Sequence, residues 1–400
     1  MSRIHYNRLY LIVALVFKWI GSLHFEQSSS LLDFIDHHQI SIYILTMIIG
    51  GVSAFVLPRE LLGAYSVSGA LALLLLVTFI QVPIKLVVEG LKSGKFIGAL
   101  LFGNFFLVPL LLFVAVIIIF HYNLLTTSHD ETNFPNEVLL FPVVCILLAP
   151  CVDYVVIFCR MAKGDAARLT STLPILLIIQ LIILLFFFAF NRSHLKFVQL
   201  TGTSFSSIFI EFFSIVCVPL LIAWDLQALS YRNASYKKSV IFLKNAAVPV
   251  TALTLLIVSF FAVGTIAHEF SLINLSHQSI MKDTDLIIGS LNVESNFFHY
   301  PLMTFFSQLI CLVILYSIYA SVAPFLGVLS AKLFKLNHAQ TIAVIFSVST
   351  RNSLVLLPIL LLLHIPSQAG MLTAFILTQT CVELVAQMVY VKYLPKLIKS

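Results

Sequence analysis

The sequence predicts an all-α polytopic membrane protein of about ten transmembrane helices, in two inverted five-helix repeats whose fourth and ninth helices are broken. Three observations predict this. The 400-residue chain is 60% hydrophobic and 10% charged, with a mean hydropathy of +1.05, whereas a soluble domain carries about 25% charged residues. The apolar runs are about 20 residues long and do not alternate, which fits membrane helices rather than barrel strands. The fourth run of each half is interrupted by polar residues, Ala149-Pro150-Cys151-Val152-Asp153 in one and Ser349-Thr350-Arg351-Asn352-Ser353 in the other.

Residues 1–39 come first, as an N-terminal interfacial segment or an extra helix. The apolar stretch at 9–23 is short for a crossing and contains Lys18 and Trp19, so it is read as interfacial or half-inserted. No small-residue cleavage site follows His24, which argues against a signal peptide. Spans are expected at 40–57, 66–90, 96–121, 137–160 and 167–190, making a first five-helix repeat over 40–192. A second repeat over 205–395 holds spans at 205–229, 240–267, 300–327, 337–363 and 368–393. The 268–299 segment is expected to be an extracytoplasmic loop with room for a short surface helix. An odd number of spans per half makes the second half enter the bilayer from the opposite side.

Basic residues set the orientation. Fourteen Lys and Arg flank one set of span ends, including Lys92, Arg160, Lys237, Lys332 and Lys396, against four on the opposite side. The positive-inside rule then places the C-terminus in the cytoplasm and the chain in the cytoplasmic (inner) membrane as a multi-pass protein. The net charge of +6 reflects these loops and does not indicate nucleic acid. No nucleophile–base spacing or cofactor motif appears, so neither an enzyme nor a cofactor is expected. None of the six cysteines shows the C-x₂-C spacing of a metal site, and all lie in predicted spans.

The two breaks are the candidate solute site. A charge at the bilayer centre costs about 3 kcal/mol on insertion scales, so Asp153 and Arg351 call for a use. Pro150 removes a backbone donor, and the half-helices that result line a cavity with free carbonyls and N–H groups. Ser349, Thr350, Asn352 and Ser353 supply donors and acceptors around Arg351. If the broken helices cross, Asp153 and Arg351 meet near the midplane, where a buried pair lowers the cost of both charges. The alternative is a pair that only locks two helices together. Cys151 sits inside the break, where a thiol meets a soft, thiophilic solute, although a buried Cys is also a small hydrophobe. Glu383 lies mid-way along the last span, with Gln379 and Gln387 four residues to either side. It is either a transport carboxyl or a group held by those helix neighbours. Asn104 and Gln180 are polar residues in spans three and five, able to bond across helices or to face the solute path.

The stretch LLAPCVDYVVIFCRMAKGDAARLTSTLPILLIIQLIILL resembles the fourth and fifth spans of the arsenical-resistance (arsenite efflux) permeases of the bile acid/sodium symporter superfamily. Ala149-Pro150-Cys151, then Ala162, Gly164 and Asp165, then Gln180 match that group's pattern. The stretch FSVSTRNSLVLLPILLLLHIPSQAGMLTAFILTQTCVELVAQ is similar to its ninth and tenth spans. The resemblance covers roughly residues 40–395 apart from the 268–299 loop. It implies ten helices in two inverted repeats, a core domain with crossing broken helices and a panel domain. It also implies alternating access driven by a cation gradient, export of trivalent arsenic in exchange for protons, and a requirement for the thiol of Cys151.

Three positions depart from the family patterns. Leu354 stands where arsenite permeases carry a glutamate, and Ser347 and Arg351 stand where sodium-coupled carriers have Glu and Gln. A guanidinium stays protonated, so Arg351 takes the place of a sodium ion and Asp153 is the proton-carrying candidate. The expected function is ion-coupled (proton antiport) efflux of arsenite or antimonite. The alternative is a bile-acid-type carrier of small organic anions, because a guanidinium binds carboxylates well. The expected partners are the small solute, a coupling proton or cation, and the lipid bilayer. A non-transporting receptor would leave the broken helices without a use.

Overall fold

Hydropathy and span length require helices, and helices are what form. The computed structural model describes residues 29–58, 64–82, 93–121, 143–149, 154–190, 205–284, 302–351, 353–354, 356–357 and 369–398, and no β-strand occurs among them. In chain order these are α1 (Ser29–Ser53), α2 (Ala64–Ile80), α3 (Gly94–Phe102), a π-helical turn (Gly103–Leu107), α4 (Val108–His121) and α5 (143–148). Then come α6 (Val155–Met161), α7 (Ala166–Phe190), α8 (Phe205–Ser230), α9 (Ala234–Asn245) and α10 (Ala247–Thr284). The last are α11 (Leu302–Leu333), α12 (His338–Ser349) and α13 (Ala369–Leu397).

Four stretches among the described residues are long and apolar enough to cross a bilayer: Gly94–Ile118, Ala247–Ala267, Gln308–Leu333 and Leu372–Leu397. Large apolar side chains face outward along them, Phe113 at 64% and Phe325 at 74% exposure among others. Soluble monomers do not carry such continuous apolar surface. The inside is mostly apolar but also holds polar and charged groups, with Arg351, Glu383, Asn104 and Gln387 all buried. The chain is therefore an all-α membrane protein.

Two compact units divide the chain: Met1–Gln81 with Phe213–Ala267, and Val82–Phe212 with His268–Ser400. Each draws on both halves of the sequence. The first unit holds α1, α2, most of α8, α9 and the first part of α10. Neutral polar groups join its helices, bonding carbonyls of their neighbours. Gln227 Nε2 donates to the carbonyls of Phe79 and Ile80, each at 3.1 Å. Ser259 Oγ donates to Met47 O at 2.6 Å, and Thr254 Oγ1 to Ala70 O at 3.3 Å.

The seventh span differs from expectation. A separate helix, α9, precedes it, and α10 begins at Ala247 with Pro249 in its first turn, where a missing N–H is harmless. The helix then runs on to Thr284 instead of ending at 267, because no Gly or Pro interrupts 265–284. The part of the expected 268–299 loop up to Thr284 is thus helical.

The second unit holds α3 to α7 and α11 to α13. Asn337 starts α12 with a reciprocal cap: its side chain accepts from Gln340 N at 2.9 Å, and its own N–H donates to Gln340 Oε1 at 3.3 Å. A glycine lets α11 approach α12 closely, since a Cβ at Gly327 would fall 2.6 Å from Ile345 Cα. Between α6 and α7 the chain turns at Lys163 (φ 60°), and Asp165 accepts from Arg168 N at 3.1 Å and pairs with its guanidinium at 3.2 Å. Gly164 and Asp165 lie in this turn.

Candidate functional site

Both expected helix breaks coincide with helix ends. The first helix stops at 148, Ala149 is bent, and α6 starts at Val155. Pro150, Cys151, Val152 and Asp153 lie outside the described residues, as does Asn352. The second break is described around Arg351. Helix α12 stops at Ser349, Thr350 is extended (φ −99°, ψ 140°), and residues 353–354 and 356–357 are again helical.

A broken helix leaves carbonyls at one end and N–H groups at the other without helical partners. Groups of the break itself and side chains from other helices take them up here. The Val348 carbonyl accepts from the hydroxyl of Tyr319 on α11 at 2.8 Å and from Nη2 of Arg351. The Phe346 carbonyl accepts from the Thr350 N–H at 3.0 Å and from its hydroxyl. On the far side of the break, the Arg351 N–H donates to Glu383 Oε2 on α13 at 2.7 Å. Glu383 thus places a carboxyl where the second half-helix begins, the end that favours negative charge. It is only 4% exposed, and it also accepts from Tyr154 Oη at 2.8 Å and Gln379 Nε2 at 2.5 Å.

The Arg351 guanidinium is fully buried and does not turn to Glu383. Its Nη2 donates to Asn104 Oδ1 at 3.0 Å, and its Cζ lies 5.6 Å from the centre of the Tyr319 ring. Nε and Nη1 have no hydrogen-bond partner among the described residues. Asn104 is brought there by the π-helical turn. Its Nδ2 donates to Leu100 O at 3.0 Å and to Ser347 Oγ at 3.1 Å. Gly103 makes room for α12, since a Cβ there would fall 2.6 Å from Val348 Cγ2. A hollow of about 10 Å³ adjoins Glu383, lined by Tyr316, Tyr319, Ser349 and Gln379 among others. It has room for one water.

Of the candidate residues, Asn104, Thr350, Arg351 and Glu383 form one connected cluster with Ser347. Ser349 faces the hollow, and Ser353 Oγ bonds Thr380 Oγ1 on α13 at 3.2 Å. Gln180 is buried on α7, its amide atoms without partners among the described residues, and no described contact joins it to the cluster. Gln379, one of the two neighbours considered for Glu383, does bond it, whereas the Gln387 amide has no partner among the described residues. Sequence reasoning missed Tyr154 and Tyr319. Their signal was position: tyrosines in spans concentrate at the bilayer interfaces, and these two sit beside a break or within a span. The arrangement presents guanidinium nitrogens without partners among the described residues and, close by in the same cluster, a buried carboxyl. Among the described residues no group of three His, Cys, Asp or Glu is placed to hold a metal ion.

No protein-family model matches the chain, and no curated protein matches it either.

Proposed function

We propose that the chain is a secondary active transporter that exports trivalent arsenic or antimony from the cytoplasm in exchange for protons. The observation that carries the transport reading is the buried Arg351–Glu383 junction. A carboxyl and a guanidinium meet a broken helix inside the membrane, each hydrogen-bonded to neutral donors or acceptors and not to the other's charged group. A structural ion pair would satisfy both charges together, because an uncompensated buried charge is expensive. A transport site needs them available in turn. Glu383 holds the coupling proton, which the adjoining water-sized hollow can deliver. The solute binds between the two breaks near Cys151, where a thiol suits trivalent arsenic, and Asp153 is a second proton carrier. The resemblance of the 147–185 and 346–387 stretches to arsenical-resistance permeases supports this substrate.

The ten-helix inverted repeat belongs to the same proposal. It is supported by the division of the chain, in which one unit takes the first two expected spans of each half and the other the last three. The lysine-rich ends put the C-terminus in the cytoplasm. One observation favours a second reading: the unpartnered Nε and Nη1 of Arg351 suit a small carboxylate or sulfonate.

The test is arsenite uptake into everted vesicles under an imposed proton gradient. Gradient-driven uptake is expected in the wild type and is lost in Cys151→Ser and Glu383→Gln. Uptake no greater than in empty vesicles overturns the arsenic reading. Uptake of small carboxylates that depends on Arg351 would then establish the second.

A further inference from the structure

The second unit carries an apolar groove whose lining includes neither Arg351 nor Glu383. Helices α11 and α13 run side by side: the Tyr390 hydroxyl donates to Ala320 O, and the ring of His338, just beyond α11, meets Ile398 O at the end of α13 at 2.5 Å. Both helices therefore end on the same side. Between them runs a groove of about 720 Å³. Its walls include Val313 and Phe325 from α11 and Val385, Val389 and Leu397 from α13, with Leu397 and Phe325 each 74% exposed. Ala320 and Ala386 are small enough to leave the hollow.

One end of this groove is basic. Lys332 follows Phe325 by seven residues, Lys392 follows Val385 by seven, and Lys396 follows Val389 by seven. Seven residues are two helical turns, so each lysine continues the face that lines the groove. All three are exposed, and the Lys392 ammonium lies 5.3 Å from the ring centre of Tyr393, itself a groove residue. Residues 302–349 contain no acid, and 369–397 contain only Glu383, which is buried. The positive charge at the groove mouth has no neighbouring anion on these helices.

We infer that the α11–α13 groove binds one anionic phospholipid, its acyl chain along the apolar walls and its headgroup phosphate between Lys332, Lys392 and Lys396. Basic pockets between membrane helices on the cytoplasmic side recognise such headgroups. A zwitterionic lipid offers the same chain but sets a quaternary ammonium among the lysines. A second copy docked by two-fold symmetry would set these lysines against themselves, and like charges in contact are disfavoured.

Native mass spectrometry of the full chain tests this, with phosphatidylglycerol or phosphatidylcholine of identical acyl chains added to the detergent-purified protein. One phosphatidylglycerol is expected to be retained at about tenfold lower concentration than phosphatidylcholine. The combined Lys332→Ser, Lys392→Ser and Lys396→Ser variant loses that preference while melting like the wild type in phosphatidylcholine micelles. Ala386→Phe fills the groove and lowers retention of both lipids, which keeps the test decisive if the lysine variant does not fold. Equal retention of both lipids by the wild type overturns the inference. So does phosphatidylglycerol retention that survives both variants, or a dimer that excludes lipid.

Discussion

Both compact units join helices through neutral donors to backbone carbonyls, but among the described residues only the second also buries charged side chains. In the first, Gln227, Ser259 and Thr254 are neutral, and each donates to a backbone carbonyl of a neighbouring helix. Such bonds hold membrane helices together and contribute about 0.6 kcal/mol each on average. In the second, the buried groups include a guanidinium and a carboxyl, and two of the guanidinium nitrogens lack partners among the described residues. Keeping a charge in that state costs more than any helix–helix bond returns. On the proposed transport reading the contrast separates scaffold from site: the first unit uses polarity to pack, and the second holds the charged groups assigned to solute and proton.

Substitutions can break that contrast or sharpen it. The largest effect is expected at Arg351. Arg351→Met keeps the side-chain length without the charge, and transport should fall by about 100-fold or more while the melting temperature in detergent holds or rises. A loss of several degrees alongside lost transport would make Arg351 a structural group and erase the distinction between the units. Next comes Glu383→Gln, whose amide oxygen can still accept from the Arg351 N–H while its NH2 faces the Tyr154 hydroxyl oxygen as a donor. Proton-driven flux should drop by about 100-fold, with solute counterflow, which needs no net proton movement, retained. Counterflow lost in step with driven flux would place Glu383 in solute binding instead.

In the first unit, Gln227→Leu leaves the Phe79 and Ile80 carbonyls without their side-chain donor. It should destabilise by about 1–3 kcal/mol in chemical denaturation, with flux per folded molecule unchanged. A transport defect in the folded fraction would show that the first unit also acts in solute movement. The smallest effect is Ser259→Ala, about 0.6 kcal/mol and no change in flux, measured by the same two assays.

The sequence by itself determined the class of the protein. Hydropathy and run length are properties of single segments, and a bilayer leaves an apolar segment no choice but a helix. The same reasoning located the break at Ser349–Ser353 and marked Asn104, Arg351 and Glu383, because a polar or charged residue inside a span is conspicuous whatever it touches. It did not foresee that α10 runs to Thr284, since the polar residues after 267 read as a loop while their backbone stays helical.

Partners were decided only by tertiary structure. Arg351 finds Asn104 across 247 residues, Glu383 finds Tyr154 across 229, and no local pattern encodes such meetings. The sequence allowed the Arg351 guanidinium to seek a buried acid. The fold instead gives Glu383 the backbone N–H at the start of a half-helix and turns the guanidinium toward Asn104 and the Val348 carbonyl. The reason is geometric: the break exposes backbone donors and acceptors at fixed positions, and the helices crossing there determine which side chains reach them.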